Sequence, residues 1–244
     1  MELQSGVQTS GFLEVDGRQP VTVEKMKQIE DKGEEFGISK NMMMEVAGSS
    51  LALFIFQNAN HFRDKSNDEK IRVLLVAGTG NNGGDTFVAA RHLAYWNEIF
   101  DISLVLLGRS EDVNAKEANL NLQILHKIPA VKMEEVYSDL MIASFSAMLN
   151  IAEVVVVGIF GTGFKGEPRL LQKNVIEMIN KNTRAVKISV DLPSGLEADS
   201  GDSKCVVRSD FTITMHAPKL GMVAKKESRN LCGRILIANI GVPV

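Results

Sequence analysis

The chain of 244 residues holds only two cysteines, Cys205 and Cys232. They lie apart, with no C-x-x-C pair and no histidine at ligand spacing, which excludes a disulfide framework and a structural zinc site. No basic stretch followed by an apolar run opens the N-terminus, so no secretory signal is expected. The longest apolar runs, such as 51–56 and 154–157, are far too short to span a bilayer, so no membrane partner is expected. Lys plus Arg total 27 against 30 for Asp plus Glu, a net charge of -3 that offers no footprint for generic nucleic-acid binding. The templates G-x-S-x-G, G-x-x-x-x-G-K-[ST] and H-E-x-x-H are missing too. These absences describe a soluble chain of a reducing, cytoplasmic compartment.

Hydrophobic residues make up 45% and charged residues 23%, the composition of one globular domain of ordinary size. Residues 1–20 carry Gly, Ser, Gln and Pro without periodicity and read as a flexible lead-in to a single domain over 21–244. Thr22 caps a first helix that runs through Met26 and Ile29 and stops at Gly37. A second helix is expected over 41–62, with Met44, Ala47, Leu51, Phe54 and Ile55 on its buried side. Short Val- and Ile-rich strands then alternate with helices. The strands are expected at 72–77, 102–107, 154–160, 185–190, 211–215 and 234–240, the helices at 85–96, 112–126, 138–150 and 168–181. That grammar implies an α/β fold: a three-layer, doubly wound, Rossmann-like and mostly parallel sheet behind two leading helices.

In such a sheet ligands bind beyond the carboxyl ends of the strands, so the loops that follow strands carry the chemistry. Gly78-Thr-Gly80-Asn81-Asn82-Gly83-Gly84-Asp85 fits the loose pattern G-x-G-x-x-G and leads into a helix, a place suited to phosphate. Its asparagines suit a sugar, an amide or a metal ion; they and Asp85 equally suit helix caps. A second turn, Gly161-Thr162-Gly163-Phe164-Lys165-Gly166-Glu167, stands at the same sheet edge, with Lys165 either a phosphate partner or a solvated charge. Asp191, in Asp191-Leu-Pro-Ser194-Gly, is either an acid or base at a strand tip or the anchor of a local Asx turn. His216 is open to proton transfer or plain packing, and Lys219 to contact with a phosphate or carboxylate.

Taken in order, MKQIE…NMMMEVAGSSLA, GTGNNGGD with AARHLA, IFGTGFKGEP, DLPSGLEADSG and SDFTITMHAPKLGM resemble the NAD(P)H-hydrate epimerase family, the YjeF N-terminal-domain proteins. The resemblance spans about 21–244. It implies interconversion of the R and S forms of hydrated NADH and NADPH, the S form then passing to an ATP- or ADP-dependent dehydratase. The resemblance assigns substrate contacts to Asn81, Asn82, Gly83, Gly84, Asp85, Gly161, Thr162, Gly163, Phe164, Lys165, Gly166, Glu167 and Asp191, and the chemistry of that reaction makes Asp191 the expected acid and base in turn. It also implies a homodimer, a separate dehydratase partner, and potassium held by Asn82, Ser194 and an aspartate at the head of D-A-[IL]-F-G-T-G. Here Val157 stands in that aspartate's place, and a valine cannot ligate a cation. Thr86 and Val46 replace a usual glycine and asparagine. A non-catalytic scaffold or nucleotide-binding module is the alternative expectation. A dehydrogenase is disfavoured, since Gly108-Arg109 stands where an acidic residue should end the second strand.

Overall fold

Val154, Val155, Val156 and Val157 have no polar face to offer solvent, so a strand built from them must be covered on both sides. They form β5 (Val154–Gly158), at the heart of an eight-stranded sheet. The computed structural model describes residues 6–15, 18–63 and 69–243. Its other strands are β1 (Phe12–Glu14), β2 (Ile71–Ala77), β3 (Phe100–Leu106), β4 (Val131–Glu135), β6 (Val186–Val190), β7 (Phe211–Met215) and β8 (Arg234–Ala238). The spatial order is β1-β8-β7-β6-β5-β2-β3-β4, and every neighbour pair is parallel except β1 with β8.

Side chains alternate across the pleat. Val73, Leu75 and Ala77 join one core with α1 (Val23–Glu35), α2 (Lys40–Gln57), α4 (Asn81–Tyr95) and α5 (Lys116–Leu125). Leu74 and Val76 join the opposite core with α6 (Ile142–Ile151) and α7 (Leu170–Lys181). This is the expected three-layer arrangement. The chain runs outward from β2 to β4, then returns to place β5 on the other flank of β2 and continues outward. The order therefore reverses between β2 and β5, and the crevice beyond that switch point is where a doubly wound sheet takes its ligand.

Thr22 caps α1 by accepting from Lys25 N–H at 3.1 Å. Ser39 caps α2 by accepting from Met42 N–H at 3.3 Å, so this helix starts a residue earlier than expected. It also ends earlier: Asn58 turns its amide back to Phe54 O (2.9 Å), and the short α3 (Ala59–Phe62) follows. The same amide donates to Gln8 O (2.9 Å) and accepts from Gln8 N–H (2.7 Å). Within the stretch read as a flexible lead-in, Gln8 is thus fastened to the second helix, and β1 pairs with the edge of the sheet. The 1–5 and 16–17 parts of that lead-in lie outside the described residues. β4, α8 (Leu220–Val223) and α9 (Lys226–Leu231) fall where no element was expected. The expected helix from residue 85 begins at Asn81 instead, with consequences for the site.

Candidate active site

Gly80 is the N-cap of α4, and the five residues Asn81 to Asp85 are its opening turns, not a loop. No side-chain cap bond forms there, so the reading of Asn81, Asn82 and Asp85 as caps is corrected. The opening N–H groups of the helix have no acceptor within it and point beyond the sheet edge, as an anion site requires. Gly78 is required by proximity: a β-carbon there would sit 2.0 Å from Ile159 O. Gly83 and Gly84 serve helix packing against Gly78 and Met44 and do not line the cavity. Asn82 crosses the switch point, donating from Nδ2 to Phe160 O at 2.8 Å, and so ties the first glycine turn to the second.

In the second turn Gly161, Thr162, Gly163, Phe164 and Lys165 line the cavity. Phe160 and Phe164 stack with centroids 4.5 Å apart and stiffen it. Lys165 is exposed and makes no ion pair among the described residues, which leaves its ammonium for a ligand. Gly166 and Glu167 turn away. Gly166 N–H donates to Glu197 (2.9 Å), and Glu167 pairs with Lys173 and Lys204, each at 3.5 Å.

Asp191 follows β6 in the left-handed region, φ 64°, a conformation costing a non-glycine residue about 1–3 kcal/mol and commonly stored at functional sites. The Asx-turn alternative is not what forms. Asp191 Oδ1 reaches across to the end of β7, accepting from Met215 N–H (3.0 Å), Thr214 Oγ1 (3.2 Å) and the Lys219 ammonium. Lys219 is 1% exposed, and of the two contacts expected for it the structure shows the carboxylate, that of Asp191. Its Nζ also donates to Thr214 Oγ1 (3.1 Å) and Met215 O (3.0 Å). The Lys219 segment is braced by Val21, whose N–H donates to Pro218 O and whose carbonyl accepts from Leu220 N–H, both at 2.8 Å. His216 is off the cavity wall, and burial and then the Lys219 charge hold its imidazole below the ordinary range. Ser194 Oγ accepts from Ile159 N–H (3.2 Å) and Phe160 N–H (3.1 Å), fixing the second turn onto the Asp191 turn.

These loops enclose a cavity of about 760 Å³, within the range of small-molecule sites. The two leading helices close its far side with Met26, Glu30, Met43 and Met44. Of the residues expected to bind substrate, Asn81, Asn82, Asp85, Gly161, Thr162, Gly163, Phe164, Lys165 and Asp191 meet there, and Gly83, Gly84, Gly166 and Glu167 do not. Sequence reading missed Glu30, and it left Lys219 without its partner. Burial, then the Asp191 charge, raise the Glu30 carboxyl above its ordinary range. The same causes hold Asp85 well above it.

The family described as YjeF-related protein N-terminus matches residues 40–221. A protein named NAD(P)H-hydrate epimerase from Nitrosopumilus maritimus is 35% identical over 224 residues, 91% of this chain and 95% of the relative. Its namesake from Cenarchaeum symbiosum is 36% identical over 225 residues, with the same coverage. A bifunctional NAD(P)H-hydrate repair enzyme from Moorella thermoacetica is 37% identical over 227 residues, 91% of this chain and 40% of that longer protein. The crystal structure of yeast ynu0 superposes with a TM-score of 0.72 at 23% identity, covering 90% of this chain and 87% of the yeast chain, and so shares the fold. With the match covering most of its length and such relatives alongside, the chain belongs to the YjeF-related protein N-terminus family.

Proposed function

We propose that this chain is an isomerase that interconverts the R and S forms of hydrated NADH and NADPH, in repair of damaged nicotinamide cofactors. One observation carries the reading. A carboxylate braced by a buried ammonium lines the same cavity as two glycine-rich turns, at the switch point of the sheet. The relatives named as epimerases support it over nearly their whole length.

The carbon that changes hand carries a hydroxyl and is bonded to the ring nitrogen. The nitrogen lone pair expels the hydroxyl, which leaves as water once protonated, and a flat iminium-like cation remains. Water returns to either face and gives up a proton, so no redox partner is needed. A fixed anion beside the ring stabilises the cation, and Asp191 is that anion. The opening N–H groups of α4 and the Lys165 ammonium suit the pyrophosphate, and the anchored nucleotide orients the ring. The test is direct: purified chain with R-form hydrated NADH, followed by chromatographic separation of the two forms. Interconversion supports the reading. Ligand binding without turnover would replace it with the nucleotide-binding module.

Potassium does not belong to this reading. Asn82 Oδ1 is a buried oxygen without a hydrogen-bond donor, but it is one neutral group. Ser194 Oγ already accepts two backbone N–H groups. Val157 is fully buried hydrocarbon in β5. A cation needs a shell of several oxygens, and of the three positions in the family pattern only Asn82 Oδ1 is open to one, Val157 having none to give. Turnover is expected to be the same in potassium, sodium or tetramethylammonium chloride at equal ionic strength. Activation by potassium alone would show that another oxygen stands in for the one Val157 lacks.

The same reading includes a cytoplasmic setting, supported by two free cysteines and by the absence, among the described residues, of a helix long and apolar enough to cross a membrane. A homodimer and a separate NAD(P)H-hydrate dehydratase acting on the S form belong to it on family resemblance alone.

A further inference from the structure

The epimerase reading needs a group that gives a proton to the departing hydroxyl and takes one back from the returning water. Asp191 is poorly arranged for that exchange. An ammonium has three N–H donors, and those of Lys219 have three acceptors, Asp191 Oδ1, Thr214 Oγ1 and Met215 O. Asp191 Oδ1 further accepts from Met215 N–H and Thr214. Three donors converge on Oδ1, which holds Asp191 in place as an acceptor beside a buried ammonium. With its donors occupied, Lys219 has none left for the other carboxyl groups of the cavity.

Asp85 is the opposite case. It is the fifth residue of α4, beyond the first turn in which a helix end favours an anion. It lines the cavity, yet its side chain makes no hydrogen bond or close ion pair among the described residues. Helix α2 presses on its backbone so tightly that a β-carbon on Gly48 would lie 2.6 Å from Asp85 O. The charged groups sharing its cavity are Glu30 from α1, Lys40 at the start of α2, Glu117 from α5, Lys165 from the second turn, Asp191 and Lys219. Lys40 is turned to Glu34, 3.4 Å away, and Glu45 of α2 is paired with Arg91 and His92 further along α4.

We propose that Asp85 is the proton carrier of the reaction, while Asp191, braced by Lys219, stays a fixed counter-charge. In the first half, the C–O bond breaks with its electron pair leaving on oxygen, the nitrogen lone pair forms the C=N bond, and the Asp85 proton moves to the departing oxygen. In the second half, water attacks the other face of the ring carbon, the C=N pair returns to nitrogen, and the proton released by the added water returns to Asp85. Asp85 ends as it began, so the cycle closes in both directions. Burial and then the Asp191 charge, only partly offset by Lys219, favour the protonated form that each turnover needs at its start.

The inference rests on the epimerase reading, and its test separates the two. The measurement is kcat/KM against pH for wild type, Asp85→Asn and Asp191→Asn, with thermal melts of each. Asp85 must be protonated when substrate binds, so wild-type kcat/KM is full below its folded pKa and is lost as pH rises through it. Asp85→Asn is expected to be roughly 100- to 10,000-fold slower and to lack that alkaline loss. Asp191→Asn is expected to be slow and to keep it. Because its folded pKa is raised, Asp85 takes stability away as pH rises above the unfolded value, so Asp85→Asn should melt no lower than wild type at pH 7. An Asp85→Asn protein within tenfold of wild type, or one that keeps the alkaline loss, overturns this inference alone. A wild-type chain that does not epimerise overturns it together with the epimerase reading.

Discussion

Replacing Asp191 by asparagine is expected to lower epimerisation by roughly two or more powers of ten and to weaken the fold at the same time. The first effect follows from the cation: an amide in place of the carboxylate removes the charge facing it. The second follows from Lys219, which is 1% exposed and would lose its only close carboxylate partner among the described residues. Breaking a buried pair by removing one member costs about 3–5 kcal/mol, because the other charge stays buried. Thr214 Oγ1 and Met215 O still accept from Nζ, and the asparagine carbonyl can do so too, which favours the lower end. A domain of this size melts roughly 2–4 °C lower per kcal/mol, so circular dichroism should show a fall of about 6–20 °C. Typical stabilities of about 5–15 kcal/mol leave the variant folded at 25 °C, where turnover should be measured. Removing both charges, Asp191→Asn with Lys219→Met, separates the effects: stability should recover much of the loss while activity stays low. If Asp191→Asn turns over near the wild-type rate, the counter-charge role is wrong. If it melts like wild type, Lys219 does not depend on this carboxylate.

The parts legible in the sequence are those where one physical demand dominates. Strands β2 and β5 are almost wholly apolar runs covered on both faces, while β6 and β7 alternate apolar residues with Lys187, Ser189, Thr212 and Thr214 and were legible from their β-branched, apolar positions. Strand β4 reads VKMEE and β1 is three residues long. Both are edge strands, half exposed and set by pairing with a neighbour distant in sequence, so their own residues carry little signal. Asp191 and both glycine turns were legible because they directly follow strands. The partnership of Asp191 with Lys219 was not, because it depends on β6 and β7 lying side by side. A lysine four residues after a strand gives no sign that it will be buried. Glu30 lies in the charged run KQIEDKGEE and reads as solvated, until helix α1 is seen closing the cavity. Asp85 was found as a residue but not for its isolation, which is a property of what fails to reach it.

The glycines of the first turn, alike in the pattern G-x-G-x-x-G, should behave oppositely when each gains a methyl group. At Gly83 a β-carbon would stand 1.9 Å from Gly78 O and 2.9 Å from Gly78 C. Both neighbours are backbone, fixed by β2 on one side and α4 on the other, so no side chain can swing aside. Gly83 is helical, and alanine would ordinarily gain about 1 kcal/mol of helix propensity there. Separation by more than an ångström of a helix wedged between α2 and the sheet outweighs that gain. Overpacking of this kind costs about 1–3 kcal/mol and more where backbone must move. Gly83→Ala is therefore expected at about 3 kcal/mol or beyond, a melting temperature lower by roughly 6–12 °C or more. The same displacement moves Asn82 and Asp85, so binding of the substrate should weaken as well. Gly80, by contrast, meets nothing within 4 Å and has φ -99°, which alanine adopts without strain. Gly80→Ala should cost no more than about 1 kcal/mol, the usual penalty of a poor N-cap. Equal melting of the two variants would mean that the seam between α4 and β2 yields easily, and that the glycine pattern serves the ligand alone.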